Sequence, residues 1–133
     1  MKFSQGFVAE YPVAANAVIG VGAAVIINTS TGFAEAGTAA AANQRIVGVA
    51  TEVVDNTGGA NGAKVVTVWK RGIVDATIAG AITQAQVGAP AYLDGYDAAN
   101  QRPRVHGTST GRTQIGTVVS VSGTTALIQL TTV

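Results

Sequence analysis

Residues 45–78 read RIVGVATEVVDNTGGANGAKVVTVWKRGIVDATI, and this stretch decides the fold. Its pattern predicts two long strands around a glycine-rich turn at 55–62, because Asn, Asp and Gly tolerate the positive φ that such a turn requires. A third strand is predicted to begin straight after Gly72. By the period-two rule, one face of the first strand carries Val47, Val49, Thr51 and Val53, and the other carries Ile46, Gly48, Ala50 and Glu52. Both faces are largely apolar, which is typical of a strand pair covered on both sides.

The composition favours one small domain that associates with other chains. The chain has 133 residues, a common length for one domain, so we predict a single domain spanning 1–133. Charged residues make up only 11% of it, which favours an assembly that hides much of its surface. The net charge of +1 indicates neither a nucleic-acid partner nor a membrane partner. With no cysteine, no signal peptide and no apolar run long enough to span a bilayer, we expect a soluble protein synthesised in the cytoplasm.

Beyond this stretch, the chain continues as short apolar runs separated by turn residues. Roughly nine strands without a convincing helix predict an all-β fold, namely a single small antiparallel β-sandwich or barrel of jelly-roll-like or β-tulip-like form. The last two strands alternate most clearly. Their predicted inward side chains are Ile115, Thr117, Val119, Val121, Ala126, Ile128 and Leu130.

Two parts of the chain resemble each other. Residues 22–28, GAAVIIN, parallel residues 88–94, GAPAYLD, and each segment ends in Asn or Asp before a turn. Each is followed by a strand with a central glycine, IVGVA at 46–50 and QIGTV at 114–118. This pattern predicts two related β-meander halves.

The N-terminal segment, residues 1–13, is predicted to be an extended arm that leads into a short strand. Phe3, Phe7 and Tyr11 recur at every fourth position, but a glycine and a proline within the segment argue against a helix. Such an arm either completes the fold as a strand or becomes ordered on a partner.

No residue pattern predicts a catalytic, cofactor or metal site. Residues 58–64, GGANGAK, lack the Gly-Lys-Ser/Thr order of a phosphate-binding loop and favour a plain hairpin turn. His106 is the single histidine and has no pattern of further zinc ligands around it. Asp94 and Asp97 lie in a polar turn without the alternating oxygen ligands of a calcium loop. We therefore expect no enzyme activity, no cofactor and no metal.

The remaining charged residues have structural explanations. Asp75 interrupts an apolar strand, and we expect it to pair with Arg71 or Lys70 or to face a subunit boundary. A small basic cluster lacks the interleaved aromatic residues of a nucleic-acid platform and suits an acidic patch on a protein equally well. Its members are Arg102, Arg104 and Arg112.

The glycine-based motifs follow one another in a recognisable order. They are GAAV at 22–25, IVGVA at 46–50, KRG at 70–72, VGAPAYLD at 87–94, IG at 115–116 and a final Leu130. This order resembles that of the small capsid decoration, or cement, proteins of tailed bacteriophages. The resemblance covers nearly the whole chain, from about Phe3 to Leu130, and rests on the order and spacing of short motifs.

The resemblance implies a non-enzymatic β-rich protein that binds the outer surface of a phage head built from an HK97-fold major capsid protein. It implies that the protein clamps neighbouring capsomers as a homo-oligomer, with a trimer at local three-fold positions favoured and a dimer at two-fold positions as the other arrangement. Synthesis in the host cytoplasm would precede its place on the virion. The arm is expected to face the capsid, because an extended segment can add main-chain hydrogen bonds to a partner. Its candidate contacts are Met1, Lys2, Phe3, Phe7 and Tyr11.

Two other functions remain open from the residues alone. A carbohydrate-binding β-sandwich on the virion surface would present Trp69, Tyr92 and Tyr96 exposed on one plane. We expect Trp69 to be buried in the core instead, and a buried Trp69 beside an apolar, self-complementary flank would favour capsid binding. A small hydrolase is the weakest alternative and would need an acid near His106 in an ordered cleft.

Overall fold

The computed structural model describes residues 8–39 and 42–130, which form strands joined by turns and one 3-10 turn at Gln84–Gln86. The predicted all-β class is confirmed, with more and shorter strands than the sequence pattern indicates. The strands are β1 (Val8–Pro12), β2 (Val18–Ile19), β3 (Ala24–Asn28), β4 (Ala34–Ala36), β5 (Gln44–Ala50), β6 (Val54–Asp55), β7 (Val65–Trp69), β8 (Ile73–Gly80), β9 (Pro90–Asp97), β10 (Arg102–His106), β11 (Gln114–Ser122) and β12 (Thr125–Leu130).

The strands form two large assemblies. The first is a sheet with the strand order β1-β7-β5-β3-β4, and the second is a closed barrel with the order β10-β8-β12-β11-β9. Neighbouring strands in both are antiparallel, except that β8 and β10 run parallel. Strands β2 and β6 form a small separate pair. We call residues 8–69 unit 1 and residues 73–130 unit 2.

Unit 1 curls almost to closure. Val13, just after β1, forms a parallel bridge with Ala34 of β4, and the Ala14 amide donates to the Ala34 carbonyl oxygen at 2.9 Å. Unit 2 makes the same contact as a full parallel pair, in which Ile78 lies opposite Val105. The two edges of the first sheet therefore meet through a parallel contact between β1 and β4. This contact is equivalent to the pairing of β8 with β10, which closes the barrel of unit 2.

The two units also share their strand register, which confirms the related halves predicted from the sequence. In unit 1, Val25 of β3 lies opposite Gly48 of β5. In unit 2, Ala91 of β9 lies opposite Gly116 of β11. In both pairs, the register shifts by one residue on the N-terminal side of the glycine.

The outer strand pair repeats in the same way. β1 lies against β7 with Val8 opposite Trp69, and β8 lies against β12 with Ile73 opposite Gln129. The chain is therefore a tandem repeat of one five-stranded unit, in which β1, β3, β4, β5 and β7 correspond to β8, β9, β10, β11 and β12.

The strand pair predicted around the glycine-rich turn is present as β5 against β7. The predicted alternation along β5 is wrong, because a bulge beside Gly48 shifts the register. Ile46 and Val49 consequently pack towards unit 2, whereas Val47 and Ala50 pack into unit 1. A bulge places two residues opposite one and so reverses the side on which the following residues lie.

A second departure from alternation occurs in β11. The inward positions predicted for β12 are confirmed, since Ala126 and Ile128 are buried. In β11 the register shifts between Val118 and Ser120, so that Val118 is buried and Val119 is exposed. The inward position predicted for Val119 is therefore wrong.

The turn at 51–64 is longer than the equivalent turn in unit 2, which consists of residues 123–124 between β11 and β12, and it folds back on unit 1. Its strand β6 pairs with β2, and Asn56, which follows β6, is buried. The Asn56 side-chain amide donates to the carbonyl oxygens of Ala14 at 2.8 Å and Ala60 at 3.1 Å. Asn56 thereby fixes the glycine-rich turn to the loop that follows β1.

Two apolar clusters form the core. One fills unit 1 and consists of Val13, Ile19, Ala23, Val25, Ala34, Val47, Ala50, Val54, Val66 and Val68. The other fills unit 2 and extends across to the outer face of β3 and β5 in unit 1. The residues of unit 1 in this second cluster are Ala24, Ile26, Ile46 and Val49. Because burial of an aliphatic side chain is worth about 1.5–3 kcal/mol, this shared cluster holds the two units together.

Polar contacts reinforce the boundary between the units. The Tyr96 hydroxyl donates to the Val21 carbonyl oxygen at 2.6 Å. Gly22, whose φ is +79°, packs so closely against the backbone of Gln101 that a Cβ there would collide with its carbonyl oxygen. A side chain at Gly22 would push the units apart.

The face of unit 2 that corresponds to the buried outer face of unit 1 is polar. At the equivalent register positions, β9 and β11 carry Pro90, Tyr92, Gln114 and Thr117. None of these four residues is buried. Unit 1 therefore buries this face against unit 2, whereas unit 2 leaves its own copy accessible.

Candidate functional site

The predicted capsid-facing arm is described only in part. Four of its five candidate contacts lie outside the described residues, namely Met1, Lys2, Phe3 and Phe7. Tyr11 lies in β1, half-buried, and its ring packs against the core of unit 1. The Tyr11 hydroxyl accepts a hydrogen bond from Lys70 Nζ at 2.9 Å, and the same nitrogen lies 5.7 Å from the ring centroid. The binding role of these five residues stays a prediction.

His106 has a local structural partner. Its Nδ1 accepts a hydrogen bond from the Thr108 amide at 3.0 Å, which shapes the turn after β10. Among residues 8–39 and 42–130, no three His, Cys, Asp or Glu side chains come close enough together to hold a metal ion.

The glycine-rich loop forms a connection between strands, as predicted. Lys64 Nζ donates to the Asp55 carbonyl oxygen at 2.7 Å, and β7 begins at the next residue. The lysine side chain therefore bonds back to the start of its own loop. The loop is followed by a strand, whereas a phosphate-binding loop is followed by a helix.

The acids and arginines of unit 2 pair with each other. Asp75 Oδ2 lies 3.1 Å from Arg102 Nη1, so the prediction of a structural partner holds, but the partner is neither Arg71 nor Lys70. Arg112 Nε lies 2.8 Å from Asp94 Oδ1. Two of the three arginines in the predicted basic cluster are thus paired with acids of their own unit.

Asp97 has the most strongly altered acidity of the described groups. The Thr77 hydroxyl donates to its carboxylate at 2.7 Å, and Asn100 Nδ2 donates to it at 2.9 Å. These bonds, with that from Thr77 first in importance, lower the pKa of Asp97 from its ordinary 3.8 to about 2. Arg102 Nε donates in turn to the Thr77 hydroxyl at 2.7 Å, which orients the hydroxyl proton towards Asp97. The network ties β8, β9 and β10 together on the surface of the barrel.

The three aromatic residues considered as a sugar platform have different environments. Trp69 is 48% exposed, so the prediction that it lies in the core is wrong. It points outward because Val66 and Val68 take the inward positions of β7. Tyr96 packs against Gly20 at the boundary between the units, and its hydroxyl is bonded to the backbone there. Trp69 is therefore the one exposed ring of this set, since Tyr92 and Tyr96 are both half-buried.

The exposed surface around Trp69 is apolar. We call four exposed residues the junction patch: Val8, Trp69, Ile73 and Leu127. Trp69 and Ile73 line the two sides of the link at 70–72, Val8 lies opposite Trp69, and Leu127 lies diagonal to Ile73 on β12. An open cavity of ≈ 420 Å³ lies in this patch, between the end of β7 and the start of β8. Trp69 and Ile73 form its apolar walls, and Arg71 lies on its lining.

A sequence signal for this patch exists in KVVTVWK at 64–70. Since Val66 and Val68 share one phase of the strand, period two already places Trp69 on the opposite face. The preference of tryptophan for burial suggested the core instead. The position of Leu127 in the patch depends on the pairing of β12 with β8, which the sequence alone does not reveal.

A second open cavity, of ≈ 400 Å³, lies beside the turn at 51–64. Its lining contains both charged and apolar side chains, and Val53 and Val65 are both exposed there. The cavity arises because β5 and β7 diverge after Thr51, whose amide makes the last bond to Thr67 at 3.0 Å.

No helix within the described ranges is long and apolar enough to cross a membrane. Comparison with known proteins found no family model, no curated protein and no solved structure that matches this chain.

Proposed function

We propose that this protein is a capsid decoration protein, which binds the outer surface of a tailed-phage head and stabilises contacts between subunits of an HK97-fold major capsid protein. The order of glycine motifs along the sequence suggests this function. Two of those motifs, GAAV and GAPA, lead into the equivalent strands β3 and β9, with Gly22 and Gly88 each two residues before the strand. The two motifs therefore occupy equivalent positions in the repeated unit.

The observation that carries the proposal is an exposed apolar patch on a small, weakly charged β-protein. Exposed apolar patches with polar surroundings mark surfaces that bind other proteins. A non-enzymatic protein that acts by occupying a site on a shell needs such a surface and a stable fold. Both are present here in the junction patch and in the two packed units.

The proposed partners are the major capsid protein and further copies of this chain, without nucleic acid or membrane. A trimer at local three-fold positions is the favoured assembly, and a dimer at two-fold positions is the other. Several contacts made at once over a lattice would bind tightly even where each contact is weak. The arm residues Met1, Lys2, Phe3, Phe7 and Tyr11 are proposed to add contacts to the capsid.

Cosedimentation with expanded, undecorated heads of the cognate phage tests this function. We expect saturable binding at a fixed ratio to the major capsid protein, and weaker binding by the double variant Phe3→Ser, Phe7→Ser. Val53→Ser serves as the control, because it removes an exposed apolar side chain away from the arm. Heads that bind none of the protein would overturn the proposal.

Carbohydrate binding on the virion surface is the second candidate, because Trp69 is exposed beside an open cavity. Aromatic rings with one open face can stack on sugars. A glycan array would show binding that Trp69→Ala abolishes if this candidate is correct. An array without signal, together with saturable binding to heads, would eliminate it.

A further inference from the structure

We propose that Asn61 and Gly62 form a deamidation site, whose reaction is slowed by the packing of the glycine-rich turn against the loop that follows β1. The sequence contains this one Asn–Gly pair. Asparagine followed by glycine is the most reactive setting for deamidation, because glycine has no side chain to hinder attack by its own amide nitrogen. Both residues are exposed, so burial does not protect them.

The reaction begins at the backbone nitrogen of Gly62. Once this nitrogen loses its proton, it bonds to the side-chain carbonyl carbon of Asn61, and the bond from that carbon to Nδ2 breaks. Nδ2 and its two hydrogens take up the lost proton and leave as ammonia, so that a cyclic imide remains. Water then opens the imide on either side, which yields aspartate or isoaspartate. Loss of the Gly62 amide proton is therefore the step that the fold can control.

The fold holds that proton in a hydrogen bond. The Gly62 amide donates to the Val13 carbonyl oxygen at 2.8 Å, and Val13 is fully buried. A bonded amide in a folded protein loses its proton to solvent only when the bond opens. The same opening must precede deamidation, so the rate depends on the fraction of molecules in which the turn has separated from the loop.

Further bonds between the loop and the turn oppose that opening. The Ala15 amide donates to Asn61 Oδ1 at 2.8 Å, and Asn56 Nδ2 donates to the Ala14 carbonyl oxygen at 2.8 Å. Three consecutive loop residues, 13–15, thus bind the turn. The bond to Asn61 is exposed, whereas the bond from Asn56 is buried, so the Asn56 bond contributes more to holding the turn closed.

The two products are expected to differ in their effect on the turn. Aspartate keeps a side-chain oxygen that can accept from the Ala15 amide. Isoaspartate adds a methylene group to the main chain just before Gly62, which displaces the amide that bonds to Val13. Formation of isoaspartate should therefore leave the turn permanently open.

Peptide mass spectrometry of the free full-length protein tests the inference, and its outcome does not depend on capsid binding. Samples are incubated at mildly alkaline pH, either folded or in concentrated urea, and the conversion of Asn61 is followed with time. We expect the folded protein to react roughly tenfold or more slowly than the unfolded protein. Equal rates in the two states, or an Asn61 that does not react even in urea, would overturn the inference.

Two variants show whether local opening of the turn controls the rate. Asn56→Ala removes a buried bond between turn and loop and should speed deamidation of the folded protein severalfold. Gly48→Ala is the matched control, because its added Cβ disturbs unit 1 beside Trp69, at the end of β7 away from the turn. It should speed the reaction less. Circular dichroism spectra establish that both variants are folded. Equal acceleration by the two variants, or none by Asn56→Ala, would contradict control by the turn.

Urea denaturation of the isolated products tests the role of the Gly62 bond. Asn61→Asp should unfold at the same urea concentration as the unaltered protein. The isoaspartate form, separated from an aged sample by chromatography, should unfold at a lower one. An isoaspartate form as stable as Asn61→Asp would show that the bond from Gly62 to Val13 does not hold the turn.

Discussion

At the scale of single residues, Asn56 shows how one polar side chain can hold a long turn in place. It is 2% exposed, and its amide group donates to two backbone carbonyl oxygens, of which the bond to Ala14 is buried. The sequence marks this segment as a turn because it is rich in glycine and asparagine. It does not show which asparagine is buried, because that depends on the distant loop around Ala14.

Replacing Asn56 by alanine is therefore expected to destabilise the protein by about 2 kcal/mol, since a buried bond to Ala14 and a partly buried bond to Ala60 are both lost. Urea denaturation followed by circular dichroism measures this. Asn61→Ala is the matched control, because Asn61 is exposed and its single bond to the Ala15 amide can be replaced by water. Equal losses in the two variants would show that burial of Asn56 does not matter.

Asp97 gives the stability a dependence on pH. Its pKa is lowered to about 2 in the folded protein from an ordinary 3.8, so the carboxylate favours the folded state above the higher value. This contribution is lost as the pH falls from about 4 to about 2. Thermal unfolding midpoints measured across that range should fall less steeply for Asp97→Asn than for the unaltered protein. Identical slopes would mean that Thr77 and Asn100 do not stabilise the ionised form.

At the scale of strands, the bulges decide which side chains face inward. A glycine is needed in β5 because a Cβ on Gly48 would collide with the backbone oxygen of Trp69 on β7. A Cβ on Gly116 in β11 would collide in the same way with the backbone oxygen of Gln129 on β12, so both units require glycine at this position. Glycine at a bulge allows two backbones to approach more closely than any side chain permits.

Gly48→Ala should cost about 2 kcal/mol or more, because the neighbouring strand has to move away. Gly58→Ala is the comparison, since Gly58 has a φ of +77° but no atom within 4 Å of the added Cβ. It should cost about 1 kcal/mol from backbone conformation alone. The two free energies of unfolding, measured in urea, separate the collision from the conformational effect. A smaller loss for Gly48→Ala than for Gly58→Ala would refute the collision.

The strand scale also shows what the sequence could reveal. The all-β class, the related halves and the pairing of β5 with β7 follow from alternation, turn residues and repeated motifs. The faces of β5 and β11 do not, because the bulge beside Gly48 leaves only a glycine as its mark in the sequence and the bulge between Val118 and Ser120 leaves none. The alternation of β7 places Trp69 on the face opposite Val66 and Val68, which would have predicted its exposure. The prediction instead followed the general preference of tryptophan for buried sites.

At the scale of the whole molecule, the two units of the chain pack on each other as separate subunits would. Unit 1 presents the outer face of β3 and β5 to unit 2, and this contact is apolar on both sides. A contact of this kind uses two different surfaces, so nothing in its geometry limits it to two units. The limit comes from the side chains of unit 2. At Pro90, Tyr92, Gln114 and Thr117, its copy of that face is accessible and largely polar.

We predict that these four residues act as an end cap, which prevents further copies of the chain from adding to this face. The quadruple variant Pro90→Ala, Tyr92→Ile, Gln114→Ile and Thr117→Val restores the side chains of the unit 1 face. It should join chains end to end into filaments, visible by electron microscopy and as light scattering that rises with concentration. Exchanging only exposed threonines elsewhere, such as Thr110→Val, should leave the solution clear. If the quadruple variant has the same mass in solution as the unaltered protein, the polarity of this face is not what prevents chains from joining end to end.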